Sequence, residues 1–353
     1  MPLALLQVPG EPLWMNLTGT ETGERLIKKS QSITETVGRH AMPAWLTLVA
    51  TLAALAVAGY LGTAAWMAWH VIRPDRSWRP ADYQPPQPPF ETVTFEATDG
   101  VPLAGWYSPP SPELGGDGAH CVILCHGLGT NRTELQDVAL ELRRRGYGVL
   151  LFDFRGHGES GGAYTTVGLR EVNDILGAVE FLCMRPEIDV DRIGILGVSM
   201  GGAAAIMAAA ICPTLRWVVA DCPFATLEQA LQTAFEAFVH TPGWLFARPV
   251  TAFAQLFTGA RVRDVKPIER IGAIAPRPVL LIHGCNDSMV LSAHSEQLYQ
   301  AAGEPKELWL IPECDHVQCR VVAGEEYYRR IDTFFRRPVP ARPDSLLSAE
   351  RSS

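Results

Sequence analysis

The chain has 353 residues, 47% of them hydrophobic, and a formal net charge of −8 from 30 Lys and Arg against 38 Asp and Glu. That length holds one large α/β domain with additions, and an acidic balance without blocks of like charge excludes a general nucleic-acid binder. The eight cysteines lie mostly in or beside apolar runs, and a domain this large needs no disulfide framework, so they read as small buried hydrophobes.

Residues 1–40 are mixed and polar and read as an N-terminal arm. Met42 is an alternative start of the chain. Ala41 to Trp69 contains no charged residue. Its core, Trp45 to Met67, would span roughly 35 Å as a helix, enough to cross a hydrocarbon layer. Trp45, Trp66 and Trp69 stand near its ends, where interfacial aromatics belong. The stretch exceeds the apolar core of a cleaved signal peptide, so residues 41–72 are read as one uncleaved transmembrane helix. The bland alternative is a buried globular helix. Arg25, Lys28, Lys29 and Arg39 precede the span, and Arg73, Arg76 and Arg79 follow it, so the basic flanks nearly cancel. A start at Met42 tips the balance towards a cytoplasmic catalytic domain. Residues 73–90 carry six prolines between Arg73 and Pro89 and read as a spacer. On this reading, removal of residues 1–72 leaves a folded, soluble enzyme.

A regular alternation occupies residues 91–336. Thr92–Ala97 and Leu103–Trp106 form a hairpin pattern across the Asp99-Gly100 turn. Strands are expected at Cys121–Leu124, Gly148–Phe152, Ile193–Val198, Trp217–Ala220, Val279–Ile282 and Glu307–Ile311. Helices are expected at Thr133–Arg145, Leu169–Leu182, Ala293–Ala302 and Glu325–Phe335. Apolar strands alternating with helices imply a mostly parallel sheet covered on both faces. Residues 223–275 break the rhythm. Leu227, Leu231, Ala234, Phe235 and Phe238 share a helical face there, followed by Trp244, Phe246, Phe253 and Phe257, which reads as a helical cap. Its aromatics either line an acyl pocket or pack the cap's own core. Residues 337–353 read as a flexible tail.

The most informative stretch is Ile193 to Gly202, where an apolar strand runs into Gly197-Val198-Ser199-Met200-Gly201 and a helix-forming alanine run follows. Strand, tight turn and helix in that order make a nucleophile elbow. Met200 N–H then opens a helix, where it can meet a developing oxyanion. A serine hydroxyl needs a base, and the base needs an acid to orient it. Strand Val279–Ile282 ends in a loop carrying Asp287, and strand Glu307–Ile311 ends in a loop carrying His316. Ser199 is therefore read as nucleophile, His316 as base, and Asp287 as its orienter, with Asp221 in reserve. Asp315 stands too close to His316 in sequence to orient it. The turn at His126-Gly127-Leu128-Gly129 is expected to supply the second oxyanion donor, Leu128 N–H. His126 reads as a brace for that turn, His157 as part of a stabilising polar loop, His283 as structural, and His240 as a cap residue within reach of substrate. Cys314-x-His316-x-x-Cys319 faintly resembles a metal cluster, but its spacing is not a common zinc pattern and no metal is expected.

Five motifs in order carry a resemblance: the His126-Gly127 turn, Asp153-Phe154-Arg155-Gly156-His157-Gly158, Gly197-Val198-Ser199-Met200-Gly201, the His283-Gly284 loop with Asp287, and His316. Over about residues 91–336 the chain resembles the α/β-hydrolase superfamily, most closely its esterase/lipase and serine-aminopeptidase-like branch. The resemblance implies an α/β fold with a mostly parallel eight-stranded sheet, helices on both faces, a cap, and no cofactor. Ser288-Met289-Val290-Leu291 departs from the Val-Pro that relatives often carry after the acid. The expected function is a membrane-anchored serine hydrolase acting on a small-molecule or lipid-derived carboxylic ester. The alternatives are a peptidase or amidase on the same triad and a non-catalytic binding protein on the same fold. The sequence says nothing of oligomeric state.

Overall fold

Five strands are buried at every position, and each is apolar over most of its length: β3 (Cys121–Cys125), β4 (Gly148–Phe152), β5 (Ile193–Val198), β6 (Leu215–Asp221) and β7 (Val279–Gly284). Apolar side chains on both faces are what a central parallel sheet requires. β1 (Glu91–Glu96) alternates exposed and buried residues, as an edge strand with one wet face does. β2 (Pro102–Ser108) follows it, and β8 (Lys306–Ile311) closes the far edge. The sheet runs β1-β2-β4-β3-β5-β6-β7-β8. β2 is antiparallel to β1 and β4, and all other pairs are parallel. This is the expected α/β-hydrolase fold.

The computed structural model describes residues 42–76, 83–87, 90–111, 120–239 and 242–341, with Arg25, Lys28, Lys29 and Glu113. Nearly all of the expected arm, most of the expected tail, His240, and the side chains of Phe238 and Trp244 lie outside them. The chain divides into two compact units, 1–60 and 61–353. α1 (Ala44–Ile72) begins in the first, where Leu48, Val49, Leu52, Leu55 and Val57 are exposed. It is the one helix among the described residues long and apolar enough to cross a membrane, with a mean hydropathy of 1.9.

Within the second unit, helices cover both sheet faces. α3 (Glu171–Cys183) and α4 (Met200–Ile211) pack into one core layer, while α2 (Gln136–Arg144) and α10 (Glu325–Phe335) pack into the other. α4 has ten buried residues and almost no polar face, so it sits as a central core helix. The cap consists of α5 (Leu227–Val239) and α6 (Gly243–Thr258), inserted between β6 and β7. A short α7 (Pro267–Arg270) leads back to β7, and α8 (Ala293–Ala301) and α9 (Cys319–Ala323) flank β8 in sequence.

The last turns of α1 belong to this unit. Ala64, Ala68 and Ile72 are buried, and the first two cluster with Phe235, Ala247 and Val250 of the cap. Ile72 C=O accepts from Thr165 N–H at 2.9 Å. Trp69 stands edge-on to Phe257, and the Arg73 guanidinium lies 4.5 Å from the Trp69 ring centroid. Two residues inside the expected spacer also bond to the sheet-bearing unit. Arg76 donates to the carbonyls of Gly158, Ser160 and Gly162, and Tyr83 O–H donates to Asp153 at 2.9 Å.

Candidate active site

The turn after β5 holds Ser199 at φ 52°, ψ −116°, a conformation that costs a non-glycine residue of order 1–3 kcal/mol. The surroundings enforce it. Ser199 N–H donates to Asp221 C=O at 2.8 Å, and Ser199 C=O accepts from Ala203 N–H at 3.0 Å. The turn closes tightly only with glycine at two places: a Cβ on Gly197 would lie 2.2 Å from Gly201 O, and one on Gly201 would lie 2.3 Å from Cys125 O.

Two loops beyond strand ends bring the other expected residues to this serine. His316 Nε2 lies 3.0 Å from Ser199 Oγ, and His316 Nδ1 lies 2.6 Å from Asp287 Oδ2. Asp287 Oδ1 accepts from the N–H groups of Met289 and Val290, which fixes the carboxylate plane. The departure Ser288-Met289-Val290-Leu291 thus still supplies the two donors. Asp315 ties the loops together, accepting at Oδ1 from its neighbour's backbone, His316 N–H, and from Ser288 N–H. Burial alone would disfavour the His316 imidazolium. The hydrogen bond and charge of Asp287 outweigh it and hold the pKa above the ordinary histidine value. Burial likewise works against the Asp287 carboxylate, but His283 and His316 keep its pKa below the usual range.

Asp221, the reserve acid, is turned elsewhere. It is fully buried, accepts from Tyr327 O–H at 2.9 Å, and its pKa is pushed well up by desolvation.

The expected oxyanion donors flank the serine. Leu128 and Met200 both line the cleft beside Ser199, and among the described residues neither N–H donates to a protein acceptor. The histidine-rich loops hold the Leu128 turn in shape. His126 Nε2 accepts from Phe154 N–H at 3.0 Å, so its proton lies on Nδ1, which donates to Gly127 C=O at 2.7 Å. His157 Nε2 accepts from Gly129 N–H at 3.3 Å. Asp153 anchors the same region by accepting from the N–H groups of Arg132 and Glu159. Arg155 binds Asp99 and buried Asp174.

Three contributors were not visible in the sequence. Glu134 Oε2 accepts from Gly127 N–H at 2.6 Å and from Thr130 Oγ1 at 2.9 Å, clamping the turn that presents Leu128. His283, expected to be structural, also reaches Asp287, with Nε2 3.2 Å from Oδ2. Cys222 lies against the imidazole of His316, with Cys222 Sγ, a His316 nitrogen and an Asp287 oxygen all within 4.8 Å of one another. In sequence, Glu134 reads as an ordinary polar position of a helix start and Cys222 as core filling, so no local signal marks them.

The cleft encloses about 510 Å³ and is mostly apolar. Leu227, Ala230, Leu231 and Ala234 of α5 line it, with Phe224, Val167 and Met289. Of the cap aromatics, Phe235, Phe246, Phe253 and Phe257 pack with the end of α1. The α5 residues that face the cleft are therefore aliphatic, and these four rings fill the seam behind them. Val167 has φ 53°, unusual for a β-branched residue. Glu171 holds that loop by accepting from Thr165 Oγ1, Thr166 N–H and Oγ1, and Gly168 N–H.

A mostly parallel sheet with a strained serine turn at its carboxyl end, faced by a histidine and an aspartate from later loops, defines a hydrolase of the α/β-hydrolase class. The chain belongs to the alpha/beta hydrolase family, whose model matches residues 122–330. It is 30% identical over 241 residues to the uncharacterized protein YfhR of Escherichia coli O157:H7, covering 68% of this chain and 78% of that one. It is 34% identical over 238 residues to the uncharacterized protein Rv2307c of Mycobacterium tuberculosis, covering 67% and 76% respectively. Among solved structures, the esterase Pf2001 of Pyrococcus furiosus aligns with a TM-score of 0.61 and 31% identity, over 76% of this chain and 99% of that one.

Proposed function

We propose that this protein is a membrane-anchored serine hydrolase that cleaves carboxylic esters through an acyl-Ser199 intermediate. The observation that carries the reading is the hydrogen-bonded line from Ser199 Oγ to His316 Nε2 at 3.0 Å and from His316 Nδ1 to Asp287 at 2.6 Å. His316 takes the Ser199 proton as Oγ attacks the ester carbonyl. Asp287 keeps the imidazole in the tautomer that leaves Nε2 free to accept, and it stabilises the imidazolium that forms. The carbonyl oxygen, now negative, is met by Leu128 N–H and Met200 N–H, and such donors act most strongly where water is excluded. His316 then returns its proton to the leaving alcohol. Water repeats the sequence on the acyl-enzyme and releases the acid.

The apolar cleft suits the acyl part of an ester, and the match to an esterase supports an ester over an amide. α1 is the element that would anchor the enzyme to a bilayer. The test is hydrolysis of p-nitrophenyl butyrate by the full chain in detergent, with Ser199→Ala beside it. Hydrolysis lost in the variant supports the mechanism, and hydrolysis retained in it rejects Ser199 as nucleophile. Ester and aminoacyl-amide substrates offered in competition separate esterase from peptidase.

A further inference from the structure

Behind the His316 imidazole lies a set of soft donor atoms that ester cleavage does not use. Cys222 follows the end of β6, and its backbone is held at φ 50° with N–H donating to Ile282 C=O at 2.9 Å. Its Sγ lies 3.7 Å from Cys319 Sγ, and Cys319 Sγ lies 3.7 Å from Cys314 Sγ. All three thiols are buried and free of disulfides. Cys222 is also the common member of two three-donor groups. One joins it to Asp287 and His316, the other to Asp221 and Cys319, with the donor atoms of each group within 4.8 Å of one another. Cys314 and Cys319 bracket His316 in sequence, so folding turns an unpromising spacing into a cluster by adding the sulfur of Cys222 from the turn after β6.

The donors suit a particular kind of ion. The group with Asp287 and His316 offers one sulfur, one imidazole nitrogen and one carboxylate oxygen, which a tetrahedral zinc can take with water in its fourth position. Sulfur and imidazole donors select zinc-like and other soft divalent cations over magnesium or calcium, which prefer oxygen.

We propose that Cys222, with His316 and Asp287, forms a site for a soft divalent cation of the zinc type, and that its occupation switches the hydrolase off. Binding replaces the Cys222 thiol proton, which leaves to solvent, and forms one metal–thiolate bond. The cation takes His316 Nδ1 in place of the proton held there, and that proton moves to Nε2. An imidazole protonated on Nε2 cannot accept the Ser199 proton. The inhibition rests on the proposed role of His316, whereas the binding does not.

The test uses the full chain in detergent, reduced and stripped with EDTA. Titration with Co²⁺ is expected to give one equivalent of binding, with a thiolate-to-cobalt charge-transfer band and the visible bands of a tetrahedral site. Zn²⁺ is expected to displace it and abolish ester hydrolysis, and EDTA to restore hydrolysis. Cys222→Ser weakens binding at least about tenfold, while Cys183→Ser, at an exposed thiol, leaves it unchanged. Absence of the charge-transfer band, or equal Zn²⁺ affinity in wild type and Cys222→Ser, overturns the site. The band without loss of hydrolysis overturns the switch. The band in a chain that hydrolyses no ester upholds the site and removes the ester reading instead.

Discussion

Cutting the chain at Ile72 or beyond removes part of the catalytic unit, whereas cutting it at Tyr60 does not. The boundary between compact units falls at 60/61, and the turns after it carry Ala64, Ala68 and Ile72 into the cap. Burying Ile72 is worth about 2 kcal/mol and each alanine methyl about 0.8 kcal/mol. The Ile72–Thr165 hydrogen bond adds about 1 kcal/mol. A chain starting at residue 77 is therefore expected to be about 4–5 kcal/mol less stable than one starting at residue 61, and it also bares Phe235, Ala247 and Val250. That is a third or more of a typical domain's stability. Urea unfolding followed by tryptophan fluorescence measures it. With a slope of about 2.5 kcal/mol/M, the midpoint falls by about 1.5–2 M. Coincident midpoints for the two chains would show that the end of α1 is a detachable tether and refute the packing argument.

Asp287→Asn removes the charge that raises the His316 pKa. Neutral His316 is the base, so the acid limb of kcat/KM moves to lower pH, and kcat drops by about 10⁴ as the tautomer is lost; an acid limb that stays in place contradicts the assigned pairing. Glu134→Ala frees Gly127 N–H and loosens the turn that presents Leu128, and kcat is expected to fall by about 10²-fold with KM little changed. A rise in KM alone would make Glu134 a binding residue. Leu231 stands, with Val167 and Leu227, between the cleft and a second small cavity lined by Val71 and Ile72. Leu231→Ala should extend the range of hydrolysed acyl chains and Leu231→Trp shorten it, read as kcat/KM across a p-nitrophenyl ester series; an unchanged profile in both variants places the acyl chain elsewhere.

The strands and the three site residues are legible in the sequence because each is announced locally. β5 is an apolar run leading into a serine flanked by Gly197 and Gly201, which permit a tight turn, and Asp287 and His316 each follow an apolar strand by a few residues. The alternation gives a mostly parallel sheet, whereas the eight-stranded count comes with the family resemblance and the strand order only with the structure. Cys222, Glu134 and His283 act through partners 94, 7 and 4 residues away. No periodic pattern encodes such contacts, because they arise only when the loops meet. The docking of α1 was hidden for another reason. Ala64, Ala68 and Ile72 recur at a four-residue spacing, but within an all-apolar run a buried stripe and a lipid-facing one look alike. The cap aromatics were ambiguous on the same ground, since rings in a seam and rings in a pocket have the same composition.

The most direct measurement is the trapping of the covalent intermediate. The full chain is mixed with p-nitrophenyl butyrate, quenched in acid during turnover, digested and mapped by mass spectrometry. The account predicts a butyryl group on Ser199, accumulating with a burst of up to one equivalent of p-nitrophenol and absent from Ser199→Ala. A butyryl group on another residue, or steady hydrolysis by Ser199→Ala, would contradict it.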